Sequence, residues 1–336
     1  MKTKLALILA IAALAAGLPL GAAQSASFEG KTITIVVGFK AGGGYDRLAR
    51  VLARHLPKHL PGSPTVIVQN MPGANSIISA NHVYNIAKPD GLTIASFNRN
   101  LVLAQLTNVS GVKFDQTKFA WIGSPASEST VLAVRADLPY KTFDELKKAG
   151  KTLVAGATGP GANTYDFPLL LRELLGVDLK IVSGYAGSSD IMLALERKEV
   201  DLRAGSYSSI RPFVDRGAVR LLIRGSAVES GIENLPVDEE LAPNAKAKAV
   251  MALRSAPEIV GRPYVLTPGT PDDIVNTMRK AFADALKDPE LLAEAKKNKM
   301  RLKFMPGDEA LKVVKDVLSQ PKEVVDEFGK YIKFGE

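Results

Sequence analysis

Three stretches of the sequence put glycine, hydroxyl and amide residues where a strand-like pattern gives way to a helical one. The first is Gly38-Phe39-Lys40-Ala41-Gly42-Gly43-Gly44-Tyr45-Asp46. The second is Gly156-Ala157-Thr158-Gly159-Pro160-Gly161-Ala162-Asn163-Thr164, and the third is Ser183-Gly184-Tyr185-Ala186-Gly187-Ser188. Glycine permits positive φ and lets a ligand approach the main chain, while a helix start offers unpaired N–H groups at the positive end of its dipole. Such loops can grip an anion. Thr158, Asn163 and Thr164 add side chains that donate to a carboxylate or accept from a hydroxyl. Each loop alone reads equally as a tight turn or a helix cap, and their recurrence favours binding. The first loop is not a nucleotide motif. The dinucleotide pattern begun at Gly42 and Gly44 needs glycine where Arg47 stands, and a phosphate loop needs Lys-Ser or Lys-Thr after Gly43.

Two arginines stand near strand ends: Arg99 in Phe97-Asn98-Arg99-Asn100 and Arg203 in Val200-Asp201-Leu202-Arg203-Ala204. A planar guanidinium there can pair with a carboxylate. Arg203 shares a strand face with Asp201, so an internal ion pair is the competing reading. Catalysis finds little support. Only His55, His59 and His82 are present, and Pro57 breaks the helical spacing of the first two as a metal pair. There is no Gly-x-Ser-x-Gly elbow, and without cysteine there is no thiolate nucleophile, thiolate metal site or disulfide.

Positioning these loops requires alternating strands and helices. Ile33 to Val37 reads as a strand, and Leu48, Val51, Leu52 and Leu56 follow at helical spacing. Further strands are expected at 65–69, 92–97, 130–135, 152–155, 180–183, 200–204, 219–223 and 264–267. Thr142 with Glu145 forms a capping box. Thr270-Pro271-Asp272-Asp273 opens a helix whose buried stripe is Ile274, Met278, Phe282 and Leu286. The alternation implies an α/β protein with parallel sheets covered on both faces. No sequence repeat and no Pro-, Gly- or Ser-rich linker is found, so two lobes joined by crossing strands, with a hinged cleft, are expected. In such sheets ligands sit beyond the carboxyl ends of the strands.

The 336 residues are 46% hydrophobic and 23% charged, an ordinary globular composition long enough for about two compact units. Lys2 and Lys4, the apolar run Leu5 to Leu20 and the small residues Gly21-Ala22-Ala23 follow the order of a secretory signal over 1–23. The run is shorter than the roughly 20 residues of a spanning helix, so an unanchored exported protein is expected. Losing Lys2 and Lys4 lowers the formal charge of +8 by two. The remaining basic residues are interleaved with acids, and aromatics are only 6%, which argues against nucleic acid as a partner.

Beyond these loops the chain resembles the periplasmic solute receptors of tripartite tricarboxylate transporters, the Bug receptors. The likeness spans nearly all of the chain after the leader. It rests on Ile33-Thr34-Ile35-Val36-Val37-Gly38-Phe39 with Asp46, on Val68-Gln69-Asn70-Met71-Pro72-Gly73-Ala74-Asn75 and on Pro89-Asp90-Gly91-Leu92-Thr93. Glu199-Val200-Asp201, Leu235-Pro236-Val237 and Pro268-Gly269-Thr270-Pro271 extend it. The resemblance implies a type II periplasmic binding protein: two α/β lobes joined by two crossing strands and closing on a small carboxylate. Lobe I would comprise 27–126 with 227–336, and lobe II 127–226. In similar receptors backbone amides and bridging waters hold one carboxylate. Carried over, that set is Phe39, Ala41, Gly43 and Gly44, with Asn75 and Asn98 as neighbours, and Thr158, Asn163, Thr164, Tyr185, Ala186 and Gly187 from the second lobe.

Two departures stand out. Lys40 replaces the usual proline, and Gly161-Ala162-Asn163-Thr164-Tyr165 replaces a shorter loop ending in histidine, which points to a different solute. Arg99 and Arg203 are not standard either, and suggest a second anionic group on the ligand. The implied function is capture of an organic acid in the periplasm and delivery to integral-membrane permease subunits, by a monomer without cofactor, metal or enzymatic activity. The alternatives are a sensory co-receptor of the same fold and, less well supported, an exported enzyme with carboxylates in its cleft.

Overall fold

The computed structural model describes residues 27–332, so the leader read at 1–23 lies outside the described residues. The strands are β1 (Thr32–Val37), β2 (Thr65–Asn70), β3 (Thr93–Ser96), β4 (Ala120–Ser124), β5 (Thr130–Arg135), β6 (Leu153–Gly156), β7 (Leu179–Val182), β8 (Leu202–Ser206), β9 (Val219–Arg224), β10 (Tyr264–Leu266) and β11 (Met305–Pro306). The helices are α1 (Gly44–His55), α2 (Ile77–Asn85), α3 (Leu101–Leu106), α4 (Phe143–Lys147), α5 (Asn163–Leu175), α6 (Ser188–Glu196) and α7 (Tyr207–Asp215). After them come α8 (Ala245–Ser255), α9 (Asp272–Ala285), α10 (Pro289–Lys297), α11 (Gly307–Leu318) and α12 (Lys322–Tyr331).

The strands form two sheets, ordered β11-β4-β10-β3-β1-β2 and β7-β6-β8-β5-β9. In the first, β2, β1 and β3 are parallel and β10 runs against β3 and β4. In the second, β7, β6 and β8 are parallel and β5 runs against β8 and β9. The expected purely parallel sheets are therefore mixed. A chain arriving from the other sheet enters at the carboxyl ends of the parallel strands, beside the cleft, and must run against them. Apart from the added edge strand β11, the two sheets share one topology although the sequence shows no repeat.

Apolar faces cover both sheets. Ile33, Ile35 and Val37 of β1 pack with Leu48 and Leu52 of α1 and with Met278 and Phe282 of α9. In the second sheet Leu132, Ala155 and Leu202 pack with Phe143 and Leu171, while Val131 and Ala133 meet Met192 and Ile210 on the other face. Leu169 and Leu170 of α5 join Val250, Val314 and Phe328, so the two sheets share an apolar back wall behind the cleft. Burying a leucine of this kind contributes about 1.5–3 kcal/mol.

The helix starts depart from expectation in detail. Thr142 accepts from the Glu145 N–H at 3.2 Å, but the Glu145 carboxylate accepts from the Lys141 N–H at 2.6 Å rather than from the cap itself. Thr270 does not cap α9. Its hydroxyl donates to the Thr267 carbonyl at 2.7 Å within the preceding turn, leaving Pro271 at the cap position. Val275, Ala281 and Ala285 join Met278 and Phe282 on the buried face, and Ile274 is half-buried.

Candidate functional site

The loops after β1, β6 and β7 and the carboxyl end of β8 converge on one cavity of about 120 Å³. Four helices begin at its wall: α1, α5, α6 and α7 follow the cap residues Gly43, Ala162, Gly187 and Ser206. All four cap residues line the cavity, and none caps its helix through a side-chain hydrogen bond. Each helix start presents N–H donors and about half a positive charge. Such a concave arrangement of helix starts can hold an anion.

Buried acids fold two of these loops. The Asp46 carboxylate accepts from the Gly42 N–H at 2.8 Å, Arg50 Nε at 3.0 Å and Asn70 Nδ2 at 2.9 Å. Burial works to raise its pKa, but the hydrogen bonds from Arg50, Gly42 and Asn70 outweigh that and hold it below the usual carboxylate value. Asp166 Oδ1 accepts from the Gly161 N–H at 2.8 Å. Burial there dominates the Gly161 hydrogen bond and the Arg254 charge, and pushes the carboxyl up to about 8.

Phe39, Ala41, Gly43, Gly44, Asn98 and Arg99 line the cavity from the first sheet's loops, and Thr158, Asn163, Thr164 and Gly187 line it from the second's. Asn75, Tyr185 and Ala186 line an adjoining groove that shares Phe39, Lys40 and Thr158 with the cavity. Arg203 lines neither. Its guanidinium is fully buried and donates to the carbonyls of Ser188 and Ala204, each at 3.1 Å. The ion pair with Asp201 does not form. Asp201 accepts from the Val154 N–H at 3.0 Å and faces Arg135 at 3.6 Å. Burial lowers the Arg203 pKa to about 10, which still leaves it a cation at neutral pH.

Sequence reasoning gave no role to Tyr45, Ser189, Asp190, Gly205, Ser206, Ser209 or Arg262, which all line the wall. Gly205 and Ser206 end β8, which runs directly into α7 without the glycine-rich loop that marks the other three strand ends. Arg262 carried no signal in the sequence. It lies 2.9 Å from the Glu128 carboxylate, donates to Ser208 Oγ at 2.8 Å and to the Gly44 carbonyl, and sits over the Tyr45 ring at 5.3 Å.

The two halves of the site touch directly. Asn98 Nδ2 donates to the Gly161 carbonyl at 3.1 Å, Asn100 Nδ2 to Asn163 Oδ1 at 2.7 Å, and Asn75 Nδ2 to the Pro160 carbonyl. Arg99 reaches from the first sheet to Ser206 Oγ at 3.3 Å and Thr130 Oγ1 at 3.5 Å. Ala74, Asn75 and Ser76 hold φ of 44°, 50° and 80°, a left-handed run that costs energy in non-glycine residues. The Ser76 hydroxyl fixes it by donating to the Gly38 carbonyl at 3.0 Å and accepting from the Asn98 N–H at 3.2 Å.

Among the described residues, His55, Asp288 and Glu290 could offer a metal three ligand atoms. Lys58 lies 2.6 Å from Asp288 and 2.7 Å from Glu290, so these carboxylates already have a cation.

Residues 48–330 match the family model described as the tripartite tricarboxylate transporter family receptor. The chain belongs to this family. It is a solute-binding receptor rather than an enzyme, as are the family's periplasmic members. A Cupriavidus necator protein described as "UPF0065 protein in gbd 5'region" is 29% identical over 335 residues, covering 95% of each chain. The structure of the periplasmic binding protein BugD aligns over 90% of this receptor and 98% of its own chain, with a TM-score of 0.73 and 23% identity. MatC from Rhodopseudomonas palustris, solved with bound malate, aligns over 88% of this chain and 98% of its own, with a TM-score of 0.69 and 21% identity. At these identities the two structures establish the two-lobed fold of the receptor. No helix among its described residues is long and apolar enough to cross a membrane.

Proposed function

We propose that this receptor captures a small organic carboxylate in the periplasm and delivers it, lobes closed, to the integral-membrane permease of a tripartite tricarboxylate-type transporter. Its lobes are 27–126 with 227–336, and 127–226, and it acts as a monomer. The observation that carries the reading is the convergence of four helix starts, none capped by a side chain, on one cavity shared by both sheets. The main chain at Ala41, Gly43 and Gly44 and the side chains of Thr158, Asn163 and Thr164 grip one carboxylate. Malate in the similarly folded MatC supports a ligand of this size and charge. Closure follows from affinity, because a ligand that touches both lobes binds the closed form better than the open one.

A thermal-shift screen of small organic acids against the full chain tests the reading. A specific acid at 100 times its Kd adds about 2.7 kcal/mol of folding stability and raises Tm by several degrees. A screen in which no acid moves Tm overturns it.

A further inference from the structure

We propose that Arg99 and Arg203 make the cleft selective for dianions, so that a ligand with two carboxylates is preferred over the same skeleton with one carboxylate turned into an amide. This rests on the carboxylate reading above and deepens it. Arg99 is only 6% exposed and lines the cavity. Its Nε has no hydrogen-bond partner, and its two Nη atoms reach hydroxyls at 3.3 and 3.5 Å, the long end of the range. Arg203 is wholly buried, with its donors on main-chain carbonyls and, at 3.5 Å, on Ser188 Oγ. Ser188 and Gly205 both line the cavity. A Cβ on Gly205 would lie 2.2 Å from Arg203 Nη2, so the guanidinium fills the space immediately behind that wall.

Among the described residues no carboxylate lies within 4 Å of either guanidinium. Arg254 and Arg262, equally buried, have carboxylates at 2.6–3.0 Å. Arg224 also lacks one, but it rests on the carbonyls of Gly225 and Ser226 and lines no part of the cavity. A buried cation is ordinarily paired, and an unpaired one is costly. At Arg99 and Arg203 the missing counter-charge fits the ligand. Asp190, the acid in the cavity wall, is exposed and sits in the first turn of α6, where it offsets that helix's own dipole. A monoanion would offset one guanidinium, and a dianion offsets both. Arg203 does not touch the ligand. It acts through the field behind the wall and through the Ser188 carbonyl, which aims the start of α6.

Calorimetry on the full chain with the α,ω-dicarboxylates from malonate to adipate, and the monoamide of the tightest binder, decides the matter. The unaltered protein should bind the diacid at least tenfold tighter than its monoamide, the size of one partly screened charge interaction. Arg203→Gln and Arg99→Gln should each shrink that ratio to within about threefold, and Arg203→Lys should keep it, which a merely structural role would not do. Equal affinity of the unaltered protein for diacid and monoamide, or a monocarboxylate that binds best, overturns the inference without any variant. So does a folded Arg203→Gln protein that retains the full ratio. If Arg203→Gln fails to fold, the unaltered ratio and Arg99→Gln decide. Binding of acids without charge selectivity sinks this inference alone, whereas a screen in which no acid binds sinks the carboxylate reading beneath it.

Discussion

Asn100→Ala tests lobe closure without removing a residue of the cavity wall. Asn100 is 1% exposed, follows β3, and lies outside the cavity wall, so its substitution removes no wall residue and reaches the ligand through the closed form and through its bond to Asn163. Its Nδ2 donates to Asn163 Oδ1 at 2.7 Å, a bond between the two sheets' loops. The net worth of such a bond is about 0.5–1.5 kcal/mol, and each 1.4 kcal/mol is tenfold in affinity. If the unliganded receptor is mainly open, the loss multiplies the apparent Kd directly, by roughly 2- to 12-fold. Adding Asn75→Ala, which removes the bond to the Pro160 carbonyl, brings the loss to about 1–3 kcal/mol, or roughly 5- to 150-fold. The change should sit in a faster dissociation rate, because the open form that meets the ligand is unaltered. Calorimetry gives the affinity, stopped-flow fluorescence the rates, and a melting curve shows whether the fold is intact. A double variant that melts normally and binds within twofold of the parent, with the same dissociation rate, refutes the idea that these bonds hold the lobes together.

Two further outcomes follow from buried charge. Arg254 is completely buried with Asp238 at 3.0 Å and Glu258 at 2.6 Å, so Arg254→Met leaves two carboxylates without their cation and should cost about 3–5 kcal/mol in chemical denaturation. Asp166 is held protonated up to about 8 in the folded chain and loses its proton near 4 when unfolded, so its contribution is complete below about 4 and disappears as pH rises through about 8. Asp166→Asn keeps the acceptor for the Gly161 N–H and cannot ionise. Its Tm should match the parent's near pH 4 and exceed it at pH 8, and an unchanged difference across that range would contradict the assignment.

Most of the fold was legible because its signals are local. β5 falls at Thr130–Arg135, where the apolar run Val131 to Val134 placed it, and β1, β2 and β9 differ by a residue at one end. β4 and β11 were missed. Ala120–Ser124 is short and carries no alternation, and β11 is two residues whose pairing with β4 is purely tertiary. Glycine loops after strands could be read in the same way, since their φ requirements are written in the residue types. Arg262 and Glu128 could not. Their pairing joins residues far apart in sequence, and neither stands in a motif.

The shared topology of the two sheets accounts for what was readable in the site and what was not. The loop after β1 and the loop after β6 are equivalent positions in sheets of the same order, and in each a glycine N–H donates to an acid early in the following helix. The acid stands four residues after its glycine at Gly42 and Asp46, but five after it at Gly161 and Asp166, so the correspondence does not register as a repeat. The surroundings then separate them. Asp46 meets Arg50 and Asn70 and stays ionised, which puts a fixed negative charge beneath the first loop. Asp166 has no hydrogen-bonded cation, and near neutral pH burial holds it protonated, so the second loop folds without adding a charge. The second half of the cleft therefore keeps the positive character of the α5 and α7 starts and of the buried Arg203, with only the α6 start offset, by Asp190. That asymmetry is what a bound dianion would neutralise, and it rests on tertiary neighbours, Arg50 and Asn70 at one acid and burial at the other, that the residue types of the loops do not show.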